Sequence, residues 1–187
     1  GNYNPSTARL YTDVSHLTAD TQLTMDVEQV FVHLASQSKL PRLSKLWMAP
    51  FHLHRNFIAK IDALGKAAAK GRNCRVVAKM NSLTDEALIH SLMRAGKQGV
   101  KIDLIVRGAC MLPARVAGLS ENIRVRSVIG RFLEHSRVFY FRAGDEEELF
   151  LSSADWMNRN MLRRVELAWP VLDPEMRQRL APVLLAM

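Results

Sequence analysis

His135 and Arg137 stand two positions apart in the segment EHSRV, and a Ser-Ser-x-Asp-Trp turn, Ser152 to Trp156, follows the next strand-like run. An imidazole exchanges protons near neutrality, with an ordinary pKa of about 6.5. An arginine beside it offers a fork of donors that matches the oxygens of a phosphate. These residue types suit phosphoryl transfer, where the protein's work is positioning and stabilisation of charge. If both residues belong to one strand, they leave it on the same face and one phosphate can touch both. Ser152, Ser153 and Asp155 would then orient the imidazole or donate to phosphate oxygens, with Trp156 packed beneath the turn. The plain alternative for His135 is a histidine that starts a strand and bonds a backbone carbonyl.

Two other strand-like runs end in polar residues. Lys79 and Asn81 close the run from Cys74, and Arg107-Gly108 closes the run from Val100. Ligands of open α/β sheets lie beyond the carboxyl ends of strands, so these places come next. Arg107 can aim its donors at phosphate while the glycine lets the backbone approach; its alternative is a surface ion pair. Lys79 and Asn81 read as ordinary strand-end polar residues. Arg159, Arg163 and Arg164 form a basic run that also reads as a solvated face. The remaining histidines lack evident partners, and His52 with His54 is only a weak metal suggestion without an acidic or cysteine ligand nearby.

The elements that must hold these residues alternate. Met25, Val27, Val30, Phe31 and Leu34 predict a helix from Thr24 to about Gln37, capped by Thr24. A strand at 45–49 precedes a helix over 53–70, with Phe57, Ile58, Ile61 and Leu64 on one face and Gly71 as its stop. Then come a strand at 74–80, a helix over 84–97 and a strand at 100–106, a βαβ rhythm that implies a sheet covered on both faces. Further strands are predicted at 123–128, 138–141 and 149–151, with 144–148 as an exposed hairpin loop and a closing helix over 174–185. Ala8 to Tyr11 reads as a short strand or a loop.

The chain has 187 residues, 48% hydrophobic and 24% charged, enough for one good core. No apolar run approaches the roughly 20 residues that span a bilayer. The start, from Gly1, has neither a methionine nor a signal-peptide pattern and reads as a piece of a longer chain. Cys74 and Cys110 lack metal-ligand spacing and read as buried, reduced thiols, as in the cytoplasm. The net charge of +8 predicts affinity for a polyanion, be it nucleic acid, nucleotide, anionic lipid or polyphosphate.

A His-x-Lys/Arg pair followed by a Ser-Ser-x-Asp-Trp turn resembles the second half-site of the phospholipase D superfamily. The segments GNYNPSTARLYTD, LIVRGACML, LSENIRVRSVIGRFLEHSRVFYF and LSSADWMNRN together resemble the large, histidine-phosphorylated bacterial polyphosphate kinases, over essentially the whole chain. The resemblance implies an α/β, phospholipase D-like domain with a mixed sheet flanked by helices over 23–187, with 1–22 as the tail of a preceding domain of the same kind. It implies a transferase that moves the γ-phosphate of ATP, reversibly and through a phosphohistidine, to inorganic polyphosphate. By motif, Tyr11 would contact the adenine nucleotide, Arg107 its phosphates, and His135 would be a nucleotide contact and general acid; Arg164 matches a further phosphate-binding arginine. The phosphorylated histidine and the magnesium ligands would lie upstream, so the isolated piece would be inactive. ATP or ADP, polyphosphate, Mg2+, the rest of the same polypeptide and further copies of it are the implied partners, in the cytoplasm or at the inner-membrane periphery. Nucleic acid is not expected among them. A phospholipase D-like nuclease or basic nucleic-acid-binding module is the alternative, and Arg137 in place of the superfamily's lysine argues against it.

Overall fold

The computed structural model describes residues 4–185; the first three residues of the GNYN segment lie outside them. The described residues form nine strands and six helices, in the order α1 (Pro5–Ala8), β1 (Tyr11–Thr12), α2 (Thr21–Ser36), β2 (Trp47–Ala49), α3 (Leu53–Ala68), β3 (Cys74–Met80), α4 (Glu86–Lys97), β4 (Lys101–Val106), β5 (Ile123–Arg126), β6 (Leu133–Glu134), β7 (Arg137–Ala143), β8 (Glu146–Ser152), α5 (Asn158–Leu162), β9 (Glu166–Pro170) and α6 (Pro174–Leu185). Seven strands form one mixed sheet in the order β2-β9-β8-β7-β3-β4-β5. The β3-α4-β4 unit makes a parallel pair, β5 adds in parallel at the edge, and β7, β8, β9 and β2 run antiparallel to their neighbours.

Strand alternation divides the core between the two faces. Val76, Ala78, Ile102, Leu104, Phe139, Phe141 and Phe150 point to the face covered by α3 and α4, where Phe57, Ile61 and Leu92 meet them. Val77, Ile105, Val138, Leu149 and Leu151 point the other way, toward Leu180 and Leu184 of α6. Near-continuous apolar runs in β3 and β4 follow from burial on both sides.

The α/β class, the sheet and the closing helix agree with the sequence reading, and the boundaries shift for local reasons. Helix α2 starts three residues before Thr24, because the Asp20 carboxylate caps it by accepting from the Leu23 N–H at 2.9 Å. Asp85 caps α4 through Leu88 N–H in the same way. Strand β2 is shorter than expected: the N–H groups of Ser44, Lys45 and Leu46 donate to the buried Asp26 carboxylate at 2.8, 2.6 and 2.8 Å instead of to a neighbouring strand. The expected 144–148 loop contracts to Gly144-Asp145, with Gly144 at φ 60°, while Glu146, Glu147 and Glu148 pair with Ala143, Arg142 and Phe141. Strand β9 and helix α5 were not anticipated. The former is short and ends in proline, and the latter is barely more than a turn.

The first residues make a helical turn capped by Asn4, then β1. Strand β1 pairs in parallel with β6, Tyr11 opposite Leu133 and Thr12 opposite Glu134. The chain's start is thereby tied to the segment just before His135, whose N–H donates to Thr12 O at 3.0 Å.

Candidate functional site

The loops that follow β3, β4 and β8 and the chain before β7 open into a polar cleft of about 620 Å3. Tyr11, Arg107, His135 and Arg164, far apart in sequence, all line it. The turn after β8 is fixed from below: Trp156 is fully buried, stacks on Phe139 with parallel rings 4.9 Å apart and touches Phe57. Its carbonyl accepts from the N–H groups of Thr84 and Asp85, which locks that turn to the loop after β3. The expectation that Trp156 packs beneath the turn holds.

That turn aims Asp155 at Arg137. Asp155 Oδ1 accepts from Arg137 Nε at 3.1 Å and from the Asn81 N–H at 2.7 Å, and Oδ2 accepts from Arg137 Nη2 at 3.1 Å. The third guanidinium nitrogen, Nη1, donates to the His135 carbonyl at 3.0 Å and sits 3.2 Å from His135 Nε2. Asn81, with its amide nitrogen turned to Glu134 O and its oxygen to Arg137 Nη2, completes the seat of this arginine.

His135 is held on its other side by Asp13, whose Oδ2 lies 3.1 Å from Nδ1, and Tyr11 meets the ring edge-on at 5.1 Å. A guanidinium only donates and a carboxylate only accepts, so the network assigns the ring proton to Nδ1 and the lone pair to Nε2. His135 lies between β6 and β7 rather than inside a strand. It still converges with Arg137, because the arginine folds back along the chain toward it.

The outcomes for the other candidates differ. Ser152 and Ser153 do not orient the imidazole: their hydroxyls donate to Leu167 O at 2.7 Å and to Glu166 Oε2 at 2.5 Å, fastening β8 to β9. Lys79 is buried and bonds Glu134 at 2.5 Å and Ser136 at 2.9 Å, supporting the chain under His135. Arg107 Nη1 donates to Glu134 O at 2.9 Å, while Arg164 is exposed, with Nε 3.8 Å from Glu166 Oε1. His52 and His54 share no ligand set: His54 Nε2 pairs with Asp85 at 2.9 Å, and His52 Nδ1 faces the Met48 N–H. Burial holds His52 below the ordinary histidine range, with the Arg55 charge acting in the same direction and Asp26 opposing.

Sequence reasoning missed Asp13, Asn160 and Glu166. Glu166 is buried, accepts from Asn160 Nδ2 at 2.7 Å and presents a carboxylate at the cleft wall. The signals were thin: an acid two residues beyond Tyr11, and a lone acid after the Arg163-Arg164 pair. The cleft is thus walled by arginines 107, 137, 159 and 164 against three acids, each already engaged by a protein partner. It can hold an anion, place an imidazole nitrogen beside it, and stabilise charge that develops on its oxygens.

Residues 46–187 match the family described as "Polyphosphate kinase C-terminal domain 2", and residues 1–40 match "Polyphosphate kinase C-terminal domain 1". A polyphosphate kinase of Paraburkholderia phytofirmans is 51% identical over 179 residues, which are 96% of this chain and 26% of that protein. One from Xylella fastidiosa is 48% identical over 180 residues, again 96% of this chain and 26% of the relative. The chain therefore spans about a quarter of the length of the relatives it matches. The crystal structure of polyphosphate kinase from Porphyromonas gingivalis superposes with a TM-score of 0.93 at 40% identity, covering 98% of this chain and 28% of that one. NucT from Helicobacter pylori (TM-score 0.53, 16% identity, 76% of this chain and 92% of that one) and the phospholipase D family member Nuc from Salmonella typhimurium (0.51, 13%, 74% and 89%) share the fold. A sequence match over nearly all of this chain and a close structural superposition agree: the chain belongs to the polyphosphate kinase family, as a carboxyl-terminal portion with a phospholipase D-like fold.

Proposed function

We propose that these residues supply the nucleotide- and polyphosphate-binding half of a polyphosphate kinase that reversibly moves the ATP γ-phosphate, through a phosphohistidine elsewhere in the polypeptide, to inorganic polyphosphate. The observation that carries the proposal is the convergence of Tyr11, Arg107, His135 and Arg164 on one cleft, with the His135 Nε2 lone pair at its wall. Arg107 and Arg164 bind phosphate oxygens and Tyr11 contacts the nucleotide. In the ADP-forming direction His135, protonated at Nε2 from solvent, gives that proton to the leaving oxygen of ADP, and in the reverse direction it takes the proton back from ADP, with Asp13 stabilising the imidazolium. Protonation turns Nε2 from acceptor to donor, so Arg137 Nη1 must leave it and becomes available to the transferred phosphoryl group.

Among the described residues no three His, Cys, Asp or Glu side chains form a metal-binding group. Magnesium belongs to the proposal for the whole enzyme, with its ligands upstream, and no step here runs through it. The division at 22–23 between the tail of a preceding domain and the second domain is part of the same reading. So are assembly with further copies, a cytoplasmic or inner-membrane-peripheral location, and the inactivity of the piece alone. Among the described residues no helix is long and apolar enough to cross a membrane.

The test is ATP synthesis from ADP and polyphosphate by the full-length enzyme that carries this segment. His135→Ala and Arg107→Ala are each expected to lower kcat by about 100-fold or more, the scale of a lost acid–base or charge-stabilising group. Wild-type turnover in both variants would overturn the assignment.

A further inference from the structure

The sheet face that carries α6 is only half covered. Met176, Leu180 and Leu184 pack with Val77, Ile105, Val138 and Leu149, and leave Arg124 and Arg126 of β5 and Lys101 at the start of β4 exposed, with Arg75 and Asp103 half-buried beside them. On an antiparallel or parallel ladder, directly opposed residues share a face. Arg142, Arg75 and Lys101 are opposed across β7, β3 and β4, so they form one row. Arg124, opposite Asp103, and Arg126, opposite Ile105, extend this face along β5 toward the cleft. Arg107 stands at the head of β4, and Ser127 Oγ donates to its carbonyl at 3.2 Å, joining the end of β5 to the cleft wall.

The row opens into a separate basin of about 380 Å3, walled by Arg75, Lys101, Arg124 and Arg142 together with Asp103 and Glu121. Asp103 is engaged by Arg75 at 2.8 and 3.2 Å, and Glu121 accepts from the Gly118 N–H at 2.8 Å. Among the described residues no carboxylate lies in ion-pair range of Lys101, Arg124, Arg126 or Arg142, and the buried Nε of Arg142 bonds no protein group. Charges on an exposed edge strand also guard against edge pairing. That accounts for Arg124 and Arg126 on β5, but not for Lys101 and Arg142 on the interior strands β4 and β7.

We propose that this open half-face is a lane that holds the distal part of a polyphosphate chain whose end occupies the cleft. From Arg107 to Lys101 the lane runs about 20 Å, at roughly 3.3 Å per strand residue, long enough that only chains extending well beyond the cleft engage it. The proposal rests on the polyphosphate reading given above. A flexible polyanion with a charge on every unit fits a row of loosely spaced cations, of which Arg75 alone has a carboxylate partner among the described residues, beside a basin with no aromatic side chain in its walls.

The experiment uses the full-length enzyme and compares Arg124→Glu/Arg126→Glu and Lys101→Ala/Arg142→Ala with Lys66→Ala/Lys70→Ala, an exposed control pair in the last turn of α3 and the turn just after it, away from the lane. Binding of long-chain polyphosphate, tripolyphosphate and duplex DNA is measured at two salt concentrations. The lane predicts a loss of about 10-fold for long chains and a salt slope lowered by about 0.7 for each cation removed, as for single-stranded polyanions. Tripolyphosphate should move less than about 2-fold, and the control pair should leave all three ligands near wild type, because long-range charge alone is screened within about 10 Å at 0.1 M salt. Unchanged long-chain binding in both lane variants overturns the lane while leaving the cleft reading intact. Equal losses for duplex DNA and polyphosphate overturn it as a polyphosphate device. Wild-type enzyme that binds no polyphosphate overturns the functional reading itself, and the lane with it.

Discussion

Arg137 bonds Asp155 through Nε and Nη2 and reaches His135 with its remaining nitrogen, so one guanidinium both closes the turn after β8 and faces the imidazole at the cleft wall. Both partners of this ion pair are nearly buried, at 12% and 10% side-chain exposure. Removing one leaves a charge without its counter-ion. Arg137→Ala is expected to destabilise the chain by about 3–5 kcal/mol, the usual consequence of breaking a buried pair. Arg137→Lys keeps the charge but cannot donate to Asp155 and His135 along the same fork. It should retain most of the stability while losing phosphate affinity. Urea unfolding together with tripolyphosphate binding separates the two effects, and equal losses of stability in both variants would contradict the geometry.

Asp13 sets the imidazole's proton on Nδ1, and a neutral amide in its place would orient the ring without stabilising the imidazolium. Asp13→Asn is therefore expected to cut kcat roughly 10-fold, about 1.4 kcal/mol, with a smaller effect on KM. A split between kcat and KM in the full-length enzyme supplies the readout that packing alone would not give: kcat should fall while KM stays within about 2-fold. A variant that loses stability but keeps wild-type kcat would show that Asp13 only holds β1 in place.

Two groups outside the cleft should govern acid stability. Burial pushes the Asp85 carboxyl up, but the His54 hydrogen bond and the Leu88 N–H at the α4 cap outweigh it, so its folded pKa is lowered. Its contribution is full above the ordinary carboxylate value of about 3.9 and is lost as the pH falls through the folded value. His52 is also lowered, and for a base this means that acidification below about 6.5 favours the unfolded chain, which takes up the proton first. Stability should fall in two stages as the pH drops. His52→Gln is expected to flatten the upper stage and Asp85→Asn the lower one, as read from urea midpoints between pH 7 and 3.

How much of this was legible in the sequence varies with the physics involved. The βαβ unit and both faces of the sheet follow from apolar periodicity, since Val76, Ala78 and Met80 alternate with Val77 and must find two cores. Arg107 and His135 stood out because polar residues at the ends of apolar strands have few structural reasons to be there. Asp13, Asn160 and Glu166 did not, because their meaning lies in partners far along the chain. Asp13 meets His135 across 122 positions, and nothing local predicts that a two-residue β1 will pair with β6. Ser152 and Ser153 do not turn to the imidazole for a related reason: β9, which the local pattern does not announce, supplies the acceptors that their hydroxyls use.

Asp26 provides the last test, because it joins α2 to the segment before β2, across the interval between the two family matches at 1–40 and 46–187. One buried carboxylate accepts three consecutive N–H groups, from Ser44, Lys45 and Leu46. A charged acceptor makes each of these bonds stronger than a neutral one would, and removing it leaves donors stranded in a part-buried segment. Asp26→Ala should lower stability by about 2–4 kcal/mol. Asp26→Asn should fall between alanine and wild type, because one of its two terminal polar atoms becomes a donor facing donors. Hydrogen exchange locates the effect: the amides of residues 44–46 should lose protection in both variants, ahead of those in β3 and β4. Uniform loss across the sheet would mean that the segment and the core unfold as one unit, and that Asp26 supports the whole fold rather than the junction.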